Sequence, residues 1–534
     1  MKYHMIFKNK NQFSDPIRNY RFIIIALFVV SNLSSLFCQD ILLRTQAEVD
    51  AFDQSLDTID GSLEIWSTVF TSDKIVDLSN LSNLTRIEGS LIIRHNNDLT
   101  SLHGLENLVY IGRQLLFTDN FLLTEINAFN NLASLDTLSV HRNENLINID
   151  GLSNITTISE VSIGNNASLD NINGLQNLTS ISNDLLVSHN PVLSNLSGLR
   201  NTVAILGSVL ILDNNSLLTL GPLDSLAIIG GVLTFQRNEA LIDLSGLENL
   251  TSVGRDVVIH ENMELRNIDA LSNLDSIKSE LRISNNPRLM NLDGLSNLHF
   301  VGGIIIIAGL DSLRNIDGMS GLESAPSGLL INVNPLLENL NGLTNLHSIG
   351  QSLFLIDNGT LENLDGLENL TTVLGALSIR KNPVLSNLDG LENLIHVGSL
   401  VQIINNPSLV DCCGLEELLS TVGGIGGDVE ISDNPFACGS LQDLIEVCPD
   451  ISVNIPEVSK GKEILLFPNP VTDRVSLQIP EGISIYSVTL RDVLGRLIWS
   501  RNDIEIDLGG VPSGQYILVF DTNKGRINKI LSKK

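Results

Sequence analysis

A five-residue signature, Gly-Leu-x-Asn-Leu or a near copy, begins at Asn80, Gly104, Ala128, Gly151, Gly174, Gly198, Pro222, Gly246, Ala270, Gly294, Gly318, Gly342, Gly366, Gly390 and Gly414. The intervals are 24, 24, 23 and 23 residues, and 24 from there on. A period of this length, sustained along most of the chain, dictates a solenoid in which each unit touches only its neighbours. Length therefore says nothing about domain count over this region, because a solenoid grows in one dimension.

Eight residues ahead of the signature lies a second column: Asn96, Asn120, Asn143, Asn166, Asn190, Asn214, Asn238, Asn262, Asn286, Asn334, Asn358, Asn382 and Asn406. Asn434 continues it after a slightly longer spacer, and Leu310 alone departs from it. Five and three residues before each Asn stand mostly apolar residues, as in Leu185/Val187 and Leu377/Ile379. That alternation marks a short strand with one buried face. After the Asn, apolar residues recur every third position, as in Leu193, Leu196 and Leu199, which suits an extended, turning return path. Each strand finds its partner in the next turn, so the turns build a parallel sheet along a rod of roughly 70 Å at about 4.8 Å per strand. The few aliphatic side chains of one turn do not offset the entropy of ordering its backbone, so an isolated turn does not fold. The Asn column predicts an inward amide at every corner, bonding backbone groups that no sheet ladder reaches.

The pattern Leu-x-x-Leu-x-Leu-x-x-Asn resembles leucine-rich repeats. The leucine after the Asn falls three residues on (Leu99, Leu193, Leu385), however, and Ile-x-Gly-x-Leu-x-Ile occurs at Ile59–Ile65 and Ile87–Ile93. With these features the chain looks more like the receptor L domain. The resemblance covers residues 40–450 and implies an all-β fold, a right-handed parallel β-solenoid of about 15 turns of 24 residues. It carries no information about ligand.

The remaining segments read as export and capping devices. Lys2, Lys8, Lys10, Arg18 and Arg21 precede an apolar run from Phe22 to Val30, so residues 1–38 read as a signal peptide, too short in its apolar part to span a membrane comfortably. Arg44–Leu56 has helical spacing suited to closing the first turn. Cys412, Cys413, Cys438 and Cys448 cluster at the last turn, and in an exported protein they predict a disulfide-stapled cap, with three pairings open. Leu441, Leu444 and Ile445 suggest a short closing helix. Residues 451–462 read as a linker, and 463–534 as seven short strands of a small Ig-like β-sandwich. Within it Pro468, Asn469, Pro470, Asp492, Gly495, Gly514 and Tyr516, with the basic tail Lys529–Lys534, resemble the sorting domain of the type IX secretion system. That resemblance implies export to the medium or the outer cell surface, with the secretion machinery as a partner.

Charge narrows the function classes. Residues 40–459 hold 16 basic and 52 acidic side chains, what remains of the chain's 32 and 61 after 5 and 1 before that span and 11 and 8 after it. Such a field argues against nucleic acid and keeps a leucine-rich rod soluble. His95, His141, His189 and His260 fall just before corner Asn residues and read as solvated; no local grouping points to catalysis. Asp269, Asp293 and Asp317 stack in consecutive turns; turn capping is the plainer account, and calcium, the one cofactor with any sequence support, the sharper one. The outward strand positions should be polar, yet Leu210 and Leu212 form one apolar patch and Ile306, Leu330, Phe354 and Ile356 another. These features predict a non-catalytic recognition or adhesion scaffold for an extracellular protein or glycan, not a membrane-spanning protein. The alternative is a structural surface-layer component without a specific ligand.

Overall fold

The computed structural model describes residues 39–67 and 72–448, and in the carboxyl-terminal segment 464–467, 471–472, 474–479, 482–492, 497–501, 506–523 and 525–533. The signal peptide 1–38 and the linker 451–462 lie outside the described residues. The chain separates into two compact units, 1–452 and 453–534.

In the first unit each turn contributes one strand to a continuous parallel sheet, from Ile41–Leu43 at one end to Val429–Ser432 at the other. Pairing is strictly in register: Leu185 faces Val161 on one side and Val209 on the other, and Val187 faces Ile163 and Ile211. A second side of the coil carries shorter strands, such as Ser180–Ile181, Ala204–Ile205 and Ile228–Ile229, also parallel and in register. The third side is built from 3-10 turns at the Gly-Leu signature, among them Asn173–Leu175, Ser197–Leu199 and Asp293–Leu295. Threefold apolar spacing matches the three residues per turn of this helix, so its leucines all face inward. In one turn Leu185, Val187, Leu193, Leu196, Leu199 and Ile205 are all buried.

Where the signature opens with glycine, contact between turns leaves no room for a side chain. A Cβ on Gly174 would stand 1.9 Å from the carbonyl oxygen of Ile149, and one on Gly318 1.8 Å from that of Leu292. The signature Asn has a separate task. Its exposed side chain reaches back one turn, Asn177 Nδ2 donating to Ser153 O (2.7 Å), Asn297 to Ser272 O (2.6 Å) and Asn393 to Glu368 O (2.9 Å).

The corner Asn column is the spine of the coil. Asn96 through Asn406 are fully buried and Asn434, at the last corner under the cap, is half-buried. Each Nδ2 donates to a strand carbonyl of the preceding turn, as Asn214 does to Val187 (2.9 Å) and Asn238 to Ile211 (2.8 Å). Each Oδ1 accepts the backbone N–H of the corner before it, so Asn190 N–H bonds Asn214 Oδ1 (3.1 Å) and Asn214 N–H bonds Asn238 Oδ1 (3.1 Å). The chain of amides starts at Ser67 N–H, bonded to Asn96 Oδ1, and ends at Asn434. Leu310 interrupts it once. Its own N–H still finds Asn334 Oδ1 (3.1 Å), but its side chain offers nothing to Asn286 N–H or Ile283 O.

The residue just before each corner Asn is in the left-handed region, and only Gly309 at these corners is glycine. His, Asp, Asn, Arg, Glu and Lys fill the column, and Val333 (φ 55°) is its one β-branched member. That conformation costs an L-residue roughly 1–2 kcal/mol, and suits a branched side chain least.

The caps follow. The first helix, Gln46–Asp50, is N-capped by the Thr45 hydroxyl and buries Val49 over the first turn. At the far end Cys412 pairs with Cys438 and Cys413 with Cys448, and helix Leu441–Val447, N-capped by Ser440, buries Leu444. The second unit has a three-stranded antiparallel sheet (Leu465–Phe467, Arg474–Gln478, Ile506–Asp507) and a four-stranded one (Leu497–Arg501, Ile485–Asp492, Gly514–Thr522, Gly525–Lys533). Val475, Val488, Leu490, Leu508, Leu518 and Phe520 form a shared core.

Replacing Asn214 by Ala strands Asn190 N–H and Val187 O in the interior and should cost about 2–4 kcal/mol, measured by denaturant unfolding. Val333→Asn relieves backbone strain at an exposed position and should raise stability by about 1 kcal/mol in the same assay.

Candidate functional site

The strand face offers two outward positions per turn, four and two residues before each corner. Around turns four to six it is partly polar and internally bonded: Gln114 Nε2 donates to Ser139 Oγ (2.8 Å), and Ser162 Oγ lies 3.0 Å from His141 Nε2. Two of the four histidines expected in solvent are embedded here. His141 is held by Ser162 and the Gly164 backbone, and burial, helped by the neighbouring Arg142, lowers its pKa to about 4. His260 bonds Ser284 Oγ (2.8 Å), and burial lowers its pKa as well.

The first apolar patch does not survive as a docking surface. Leu210 (8% exposed) and Leu212 (6%) are buried, packed with Val232 and flanked by Leu186. Ile306 (5%) is likewise buried, between Arg282 and Leu330 in the register. The cause is the in-register ladder, which sets outward side chains of successive turns side by side at strand spacing, so large neighbours cover one another.

Leu330, Phe354 and Ile356 remain half-buried, and around them the repeat departs from its own rules. Two rows cross this part of the face: Ile306, Leu330, Phe354, Ser378, Gln402, and Ala308, Asn332, Ile356, Arg380, Ile404. Asn332 Oδ1 and Arg380 Nε are both enclosed without a hydrogen-bond partner. On the corner edge beside them stand Gly309, Leu310 and Val333, the last 45% exposed despite its strained backbone. Earlier corners are charged and mutually paired: Asp119 bonds Arg142 (2.7 Å), and Asp213 bonds Arg237 (2.6 Å). Hydrogen bonding from Arg142 holds the Asp119 carboxyl below its ordinary range. On the strand face Arg94 pairs with Glu64 and Arg282 with Glu280 (2.6 Å), and at the far end of the patch Gln402 bonds Glu430 (2.8 Å). The stretch from Ile306 to Ile404 is thus an apolar tract with one unpaired guanidinium, bounded by satisfied polar groups.

Elsewhere, Asp269, Asp293 and Asp317 are exposed, one to a turn, and each begins a 3-10 turn. The capping oxygen is not theirs: Asn267, Asn291 and Asn315 accept the three Asp N–H groups (3.1–3.3 Å). Among the described residues no three His, Cys, Asp or Glu side chains converge as metal ligands would. Mutual repulsion appears further along, where burial and then Asp411, Glu392 and Asp365 raise the pKa of Asp389. Sequence reasoning missed the exposed apolar trio Val203, Leu206 (60%) and Ile228, on the short-strand side, where two-residue strands leave no readable alternation. Of the sorting residues, Pro468, Asn469, Pro470 and Gly495 lie outside the described residues. Asp492 ends one strand, Gly514 opens another, and the buried Tyr516 donates its hydroxyl to Pro512 O (2.7 Å).

Residues 57–171 match the family described as Receptor L domain, and 465–534 match the Secretion system C-terminal sorting domain. The chain is a leucine-rich solenoid with an L-domain-like stretch, secreted to the medium or the cell surface. Its tail addresses it to the type IX secretion machinery. Among solved structures, a leucine-rich-repeat protein of Leptospira interrogans is similar at 17% identity over 71% of this chain and 92% of that chain, with a TM-score of 0.29. No curated protein matches the chain. No helix among the described residues is long and apolar enough to cross a membrane.

The folded L-domain-like unit holds His141 neutral, whereas the unfolded chain protonates it near pH 6.5. Stability should therefore fall as pH drops from about 6.5 and level off below about 4. His141→Gln should flatten that part of the stability–pH curve, read by thermal melting between pH 7 and pH 4.

Proposed function

We propose that this protein is a non-catalytic recognition scaffold of the cell exterior, binding a protein or glycan ligand on the strand face between Ile306 and Ile404. The observation that carries this reading is the coincidence in one place of an apolar tract, two enclosed polar atoms without partners and the only broken corner of the amide column. In a repeat this regular, local departures mark the positions that answer to something other than folding.

Two further features favour a surface site. A cavity inside the coil, lined by Leu185, Ile211 and Phe235 among others, has a volume of about 10 Å³, room for one water at most and too small for a ligand. The Ser162–His141 contact lies on the sheet rather than in a cleft, and an imidazole with a pKa of about 4 is a poor general base.

Charging Leu330 and Phe354 together (L330D/F354D) should abolish binding of the purified protein to arrays of extracellular proteins and glycans, while its melting temperature stays within a few degrees. Unchanged array binding by the folded variant would overturn the assignment.

A further inference from the structure

The strand face carries three arginines, and their surroundings differ. Arg94 and Arg282 each have a carboxylate partner on the same face. Arg380 has none: neither it nor Lys381 at the adjoining corner comes within ion-pair distance of a carboxylate among the described residues. This is notable in a coil whose residues 40–459 carry 52 acidic against 16 basic side chains. In register, Arg380 sits between Ile356 and Ile404, one strand from Phe354 and two from Asn332. A guanidinium among apolar neighbours interacts strongly with any carboxylate that reaches it, because little water screens the pair.

We infer that this face takes an extended peptide bearing an acidic side chain flanked by aliphatic residues, with its carboxylate on Arg380 and its apolar side chains on Leu330, Phe354, Ile356 and Ile404. The inference rests on the proposed recognition face and specifies what that face selects. Arg380 supplies charge complementarity for an acid and repels a base. The apolar neighbours favour side chains over sugar hydroxyls, which need polar partners this tract does not offer: Ser378 is buried at 1% exposure and Gln402 is engaged with Glu430.

The test is selection of a random dodecapeptide display library on the full-length secreted protein. Selected peptides should carry Asp or Glu among Leu, Ile, Val or Phe, and their affinity should fall with added salt. Arg380→Gln should weaken them at least tenfold. Replacing the peptide acid by its amide should weaken wild-type binding by a similar factor and leave binding to the Arg380→Gln protein nearly unchanged. Arg380→Lys, which keeps the charge, should recover part of the loss. Peptides that lose binding to L330D/F354D but show no acidic preference, or ignore Arg380→Gln, overturn this inference and leave the recognition face standing. Peptides indifferent to L330D/F354D overturn both. Failure to enrich any peptide, alongside glycan binding that L330D/F354D abolishes, overturns the peptide assignment alone.

Discussion

One amide per turn holds the corners of this coil together. The corner Asn spans three turns of hydrogen bonding at once: its Nδ2 takes a strand carbonyl of the turn before, its Oδ1 takes the backbone N–H of the previous corner, and its own N–H passes to the next. The bend it occupies forces the preceding residue into left-handed backbone, a conformation that costs energy in nearly every turn. That cost is offset only because the bend buries no unpaired group. The leucine interior supplies the bulk of the stabilisation, but leucines alone would not fix the register; a continuous file of buried donors and acceptors does.

Much of this was legible because the repeat multiplies each signal. The corner column, the strand alternation and the two caps follow from residue spacing, the sorting segment from its resemblance to a known family, and the outlier Leu310 stands out against fourteen asparagines. Other features were not legible, for physical reasons. The left-handed corners hide behind His, Asp, Arg and Glu, since glycine marks only one of them, Gly309. The signature Asn betrayed the period without revealing its bond to the previous turn's carbonyl. Cysteine spacing left three pairings open, and proximity in the folded cap selects Cys412–Cys438 and Cys413–Cys448.

The candidate site shows the same divide between direction and exposure. Alternation says which way Leu210, Leu212 and Ile306 point, and they do point out of the coil. It does not say that neighbours on adjacent strands roof them over, and the structure buries all three. Burial on a sheet face is a property of three adjacent turns, not of one. Leu330, Phe354 and Ile356 keep partial exposure beside a strained Val333 and an unpaired Arg380, and neither of those companions was visible as special in a list of residues. Secretion, by contrast, rests on a separate segment with its own match, so the protein's destination does not depend on the proposed binding face.

Hydrogen exchange resolved at the corner amides tests the account at its root. Backbone N–H groups of Asn190, Asn214 and Asn238, each bonded to the next Oδ1, should exchange at rates set by opening of the whole stack, whereas Asn286, which faces Leu310, should exchange markedly faster than its neighbours. Equal protection at Asn286 and at the intact corners would contradict the claim that the side-chain amide, rather than burial alone, secures each bend.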